Sequence, residues 1–119
     1  MKRILTILTL TCSMSVIAKT EFELGKELYI APGKGGCATC HGETGNEPMM
    51  PLYPKIGNQT EMYLINQMKD YKNKKRKNGL FVPMEVAMEF YSEQEIRLIA
   101  KYLSSPDDSS LQNTPSQQN

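Results

Sequence analysis

The chain has 119 residues, 14 Lys and Arg against 13 Asp and Glu, a formal net charge of +1, one histidine and three cysteines. That length suits one domain. So even a balance offers no electrostatic footprint for nucleic acid, and a lone histidine excludes any centre that needs two imidazoles.

Residues 1–18 read as an export signal that is cleaved near Ala18. Lys2 and Arg3 form the basic start, Ile4 to Leu10 the apolar stretch, and Val16-Ile17-Ala18 the residues before the cut. The apolar stretch is interrupted by Thr and Ser and falls short of the ~20 apolar residues a spanning helix needs. No membrane span is therefore expected after cleavage, and Cys12 leaves with the signal. The mature domain then covers 19–105, with a polar tail at 106–119 whose composition predicts disorder.

Thr20-x-x-Glu23 is a capping box that opens a helix over Glu21 to Ile30, ended by Pro32-Gly33. Its Gly25, with Leu24, Leu28 and Tyr29, offers a face on which another helix can pack closely. The segment 31–36 (Ala-Pro-Gly-Lys-Gly-Gly) is a loop. Thr60 can cap a further helix that carries Leu64, Ile65, Met68 and Tyr71 on one face. Its end runs into Lys69, Lys72, Lys74, Lys75, Arg76 and Lys77, with Asp70 the one acid among them. Such a run is either a solvated helix end or a docking patch for an acidic partner. Ser92-x-x-Glu95 is a second capping box, opening a helix from about Ser92 to Ser104 with Ile96, Ile99, Ala100 and Leu103 at helical spacing. The reading is all-α, three principal helices joined by long loops.

Cys37-Ala-Thr-Cys40-His41 carries the chemistry. Two thiols three residues apart, with an imidazole directly after the second, form the attachment pattern of a c-type haem. The two sulfurs can make thioethers to the two vinyl groups on one porphyrin edge, and His41 is then placed to give the iron a nitrogen. A thioredoxin-like dithiol would want a strand before the motif and a helix after it; here a Gly-rich loop precedes it. A structural zinc site wants four ligands, and only Cys37, Cys40 and His41 are on offer without a carboxylate. Short helices around a thin core would also gain burial from a porphyrin, so the haem is expected to be structural as well as functional.

Together with Tyr53-Pro54-Lys-Ile-Gly57-Asn-Gln59, Met62-Tyr63-Leu64, and Tyr91-Ser92-Glu-Gln-Glu95-Ile96, the motif resembles the small bacterial class I cytochromes c over residues 22–104. The likeness is to the branch with a Pro-x-Leu-Ala-Gly-Gln run and a Tyr-Leu helix, from which Ile56-Gly57-Asn58-Gln59 departs. The resemblance implies terminal helices that cross, one covalent haem c in a cleft, and a periplasmic one-electron carrier rather than an enzyme. It implies that the carbonyl of Pro54, with Pro51 as the other candidate, accepts the second ring N–H of the proximal His41. It also implies a methionine on the distal face. Met84 follows Pro83 in what reads as a loop, and its distance to Ser92 resembles the family's ligand-to-cap spacing; Met88 is the alternative. Met49 and Met50 lie close after His41, and Met62 and Met68 belong to the preceding helix. Two other readings share the fold: the permanent cytochrome subunit of a larger dehydrogenase, and a haem enzyme or ligand sensor with an open distal position.

Overall fold

The computed structural model describes residues 17–107. Residues 1–16 of the expected signal and 108–119 of the expected tail lie outside the described residues, while Pro106 is buried against the domain. The described residues form α1 (Glu21–Ile30), α2 (Cys37–His41), α3 (Glu61–Lys72), α4 (Phe81–Glu89) and α5 (Glu93–Ser104), without a strand. None of these helices is long and apolar enough to cross a membrane.

Both capping boxes form. The Thr20 hydroxyl accepts from the Glu23 N–H and the Glu23 carboxylate from the Thr20 N–H, and Ser92 and Glu95 repeat the exchange. Two donors that a helix start leaves unpaired are thereby satisfied at each end. Thr60 occupies the cap position of α3, but its side chain makes no capping bond.

The crossing of α1 and α5 is the heart of the core. Gly25 faces α5 so closely that any Cβ there would collide with the Leu98 carbonyl. Around the crossing, Phe22 meets Tyr102 edge-on at 5.3 Å and Tyr29 meets it at 5.5 Å, geometries that add to the gain from burial alone. Ile96, Ile99, Ala100 and Leu103 line the buried side of α5, and Leu64, Met68 and Tyr71 reach it from α3.

The sequence reading of three principal helices is enlarged by α2 and α4. The second is the larger change, because Met84 stands on a helix and not in a loop. Pro83 is the third residue of α4, within the first turn, where the N–H it lacks would have had no helical partner. The turn at 56–59 also resolves. Asn58 sits at φ +62° and gives its N–H to the Leu103 carbonyl at 2.8 Å, asparagine being one of the few residues that tolerates this left-handed conformation.

Candidate haem site

The attachment motif is a single helical turn whose placement comes from its surroundings. Gly36, in the left-handed conformation at φ +65°, turns the chain into α2, and Gly42 at φ +82° turns it out. A side chain at Gly42 would run into the Glu47 backbone. Immediately after the turn, the buried tyrosines of the terminal helices hold the chain: Tyr29 donates to the Gly42 carbonyl at 2.7 Å and Tyr102 to the Glu43 carbonyl at 2.9 Å. The same rings that close the α1–α5 crossing thus anchor the segment behind the motif.

Cys37 and Cys40 occupy the first and fourth positions of α2, both half-buried free thiols. The Cys37 sulfur lies 3.4 Å from the Tyr91 hydroxyl, which also donates to the Leu28 carbonyl at 3.5 Å. Burial pushes the Cys37 thiol above its ordinary range, with the Tyr91 bond acting in the opposite sense. Tyr91 is itself 1% exposed. Gly35 gives it room, since a Cβ at that position would strike the ring. Burial likewise lifts the Tyr91 hydroxyl well above its ordinary range, so it stays a donor.

His41 is buried, and its Nδ1 is 2.9 Å from the Pro54 carbonyl oxygen. A carbonyl can only accept, so the proton sits on Nδ1 and Nε2 keeps a free lone pair. Burial holds the imidazole below its usual titration range, the Pro54 bond pulling the other way. A neutral imidazole with one nitrogen engaged is the form a metal ion takes as ligand. Pro51 lies in the same loop, and the bond to His41 comes from Pro54.

The donor set suits haem c. Among the described residues no group of three or more His, Cys, Asp and Glu is arranged to hold a metal ion, so no carboxylate completes a zinc site around the two thiols and His41. The six methionines outside the expected signal fall into distinct environments. Met68 and Met88 are buried in the core, and Met49, Met50 and Met62 are exposed. Met84 alone is half-buried, packed against the edge of the core from α4.

The cation run turns out to be partnered within the molecule. Lys69 pairs with Glu93 at 3.1 Å. Lys72 donates to the carbonyls of Tyr91 at 2.7 Å and Met88 at 3.3 Å. Lys74 lies 4.0 Å from Glu89, and Lys77 pairs with Glu85. Arg76 stacks 4.7 Å over Tyr71 and donates to Gln67 at 2.9 Å. Lys75 is exposed and stands clear of these ties. Most of these cations thus have a partner within the molecule, although Lys74 and Lys77 stay more than half exposed. Lys34, before the motif, is likewise paired, with Glu95, and lies 5.5 Å from the centre of the Tyr91 ring.

The family model for cytochrome c matches residues 22–106. The chain belongs to the cytochrome c family. Its curated relatives include cytochrome c-554(548) of Halomonas halodenitrificans, 34% identical over 73 residues, which are 61% of this chain and 87% of the relative. They also include cytochrome c4 of Thiocapsa roseopersicina, 34% identical over 76 residues, covering 64% of this chain and 38% of the relative. Cytochrome c4 of Pseudomonas aeruginosa is 39% identical over 69 residues, 58% of this chain and 32% of the relative. The chain thus spans only 38% and 32% of the two cytochrome c4 relatives. Among solved structures, reduced recombinant cytochrome c4 from Pseudomonas stutzeri superposes with a TM-score of 0.64 at 23% identity, over 71% of this chain and 47% of that one. That likeness establishes the class I fold. Membership of the family brings covalent haem c, whose attachment motif Cys37, Cys40 and His41 fit.

Sequence reasoning missed Tyr91 and Lys72 as partners of the site. Both residues were in view, but a hydroxyl meeting a sulfur 54 positions away, or an ammonium reaching two carbonyls, leaves no local pattern.

Proposed function

We propose that this cytochrome c is an exported, periplasmic one-electron carrier with His41 and Met84 as the axial ligands of its haem. Haem c supplies an iron that cycles between ferrous and ferric states. Cys37 and Cys40 hold the group covalently, and Pro54 fixes the His41 tautomer and keeps Nε2 available. Met84 gives the distal sulfur, a soft ligand that favours the ferrous state and raises the potential relative to a second nitrogen. His41 and Met84 together would keep water and small ligands from the iron, which suits a carrier and not an enzyme.

The observation that carries the reading is the 2.9 Å bond from His41 Nδ1 to Pro54. It leaves one free nitrogen on the chain's only histidine, directly after the two thiols. The half-buried position of Met84 at the edge of the core supports the choice of distal ligand, since Met68 and Met88 are buried within it.

The test is a redox titration of the purified holoprotein under carbon monoxide and under argon. A carrier gives a reversible one-electron wave that carbon monoxide leaves unchanged, and acid–organic extraction leaves the colour on the polypeptide. Rapid carbon monoxide binding by the reduced wild type would favour a ligand sensor or haem enzyme instead.

A permanent dehydrogenase subunit has one observation in its favour. Val82 and Val86 are about half exposed, at i and i+4 on α4 and turned away from the Met84 side. Native purification distinguishes the two: a free carrier elutes alone, and a subunit elutes with a larger redox protein.

A further inference from the structure

We infer that Lys72 is a positioning residue for the distal ligand: its ammonium closes the C-terminus of α4 from outside and thereby sets how firmly Met84 is held. The inference rests on the reading of Met84 as the axial methionine.

The sequence of α4 gives that helix little support of its own. Its cap residue Leu80 makes no side-chain bond, its first turn has no acidic residue and its last turn no basic one. It also contains two valines and a proline, and at nine residues it is too short to persist alone. Its main helix neighbour is α3. What α4 lacks at its negative end, α3 supplies. Lys72 is the last residue of α3, and its Nζ donates to the Met88 and Tyr91 carbonyls on either side of the capping residue Phe90. The Met88 carbonyl, in the last turn of α4, also accepts the Tyr91 N–H at 3.3 Å, so Lys72 adds a positive charge at the negative pole of the helix and ties that turn to Tyr91 just beyond it. Lys72 is only half exposed, so solvent screens the interaction less than it would at an open surface.

The neighbouring lysines extend the brace along the same helix. Lys77 lies 4.8 Å from the centre of the Phe81 ring, at the start of α4, and pairs with Glu85; Lys74 approaches Glu89. Lys69, in the same run, ties instead to Glu93 on α5 and leaves α4 alone. Loss of Lys72 therefore removes a tie to the last turn of the helix that carries the methionine and to Tyr91 just beyond it, while the α1–α5 crossing keeps its contacts. Loss of Lys69 removes a cation from the same run without touching that helix.

The experiment compares wild-type holoprotein with Lys72→Met, Lys72→Arg and Lys69→Met. Heating is followed by the sulfur-to-iron charge-transfer band and by the far-ultraviolet helical signal. In Lys72→Met the band is expected to vanish several degrees before the helices melt, and the reduced protein is expected to bind carbon monoxide at least tenfold faster than wild type. Lys72→Arg, which can still donate to both carbonyls, restores most of the interval and the slow binding. Lys69→Met keeps band and helices together. If band and helices in Lys72→Met fall together, or if Lys69→Met separates them equally, the positioning role is overturned. Should Lys72→Met fail to accumulate as holoprotein, Lys77→Met with Glu85→Gln loosens the other end of α4 and is read in the same way. Met84→Ala, run alongside, isolates the ligand reading: retention of the band there overturns that assignment alone. The brace is still judged by the same separation, since α4 carries both candidate methionines.

Discussion

The α1–α5 crossing and the α3–α4 arm hold opposite sides of the same domain by different means. At the crossing, side chains do the work: a glycine admits the Leu98 backbone, three aromatic rings interlock, and the two tyrosine hydroxyls reach the chain behind Cys40 and His41. In the arm, α4 keeps Val82 and Val86 in solvent and is fastened to the end of α3 by lysines. The terminal helices and the attachment turn are thus held by close packing and tyrosine hydrogen bonds, whereas α4 seats Met88 in the core and adds lysine bonds to carbonyls and carboxylates. With Met84 as the proposed distal ligand, this construction is expected to keep Cys37, Cys40 and His41 in place when the methionine side loosens.

The largest test of that contrast is at Gly25. Gly25→Val places a side chain against the Leu98 backbone, and overpacking against atoms that cannot yield is expected to cost ~3 kcal/mol or more. Holoprotein yield and thermal melting measure it; a variant that melts like wild type would show the crossing to be looser than described. Tyr102→Phe keeps the ring and removes the bond to the Glu43 carbonyl. A loss of about 1–2 kcal/mol in denaturant unfolding is expected, larger than that of a surface change because a partly buried acceptor is left unpaired.

Acid sharpens the same comparison. Glu95 is held below the ordinary carboxylate range by Lys34 first and by the Ser92 N–H next. Its folded-state value being depressed, it stabilises the fold at pH above its unfolded value of ~4.3. That contribution is lost as pH falls through the folded value. Glu95→Gln is therefore expected to flatten the acid limb of the stability curve below about pH 5, as followed by melting temperature against pH. An unchanged limb would assign the acid sensitivity elsewhere, with Glu23 and Glu93, also depressed, the next groups to replace. The smallest effect belongs to Asn58→Gly, which relieves a left-handed asparagine at φ +62°. A gain below ~1 kcal/mol is expected, and a loss would mean that the Asn58 side chain does more than occupy the turn.

How legible each region is in the sequence follows the same division. Helices α1 and α5 announce themselves because Thr20/Glu23 and Ser92/Glu95 are local signals, three residues apart, and the stripe from Ile96 to Leu103 has a helical period. Gly25 could be assigned to a close crossing because little else explains a glycine in mid-helix. Helix α4 has no cap, and Pro83 with two valines reads as loop; only packing against α3 makes it a helix. The cysteine motif was readable as chemistry because its spacing is short. Pro54 was chosen over Pro51 only through the resemblance of its run to the family's, because the contact itself depends on how the loop after Gly42 folds back. The lysine run was legible as charge, but its internal partners were not, because the acids and carbonyls that engage it lie elsewhere in the chain.

The central claim is the ligand pair that the two regions bring to the iron. Iron-edge X-ray absorption of the oxidised holoprotein tests it most directly by detecting sulfur in the first coordination shell. The account predicts a sulfur scatterer in wild type and in Met88→Leu, and a shell without sulfur in Met84→Ala. Sulfur retained in Met84→Ala, or lost in Met88→Leu, would contradict it.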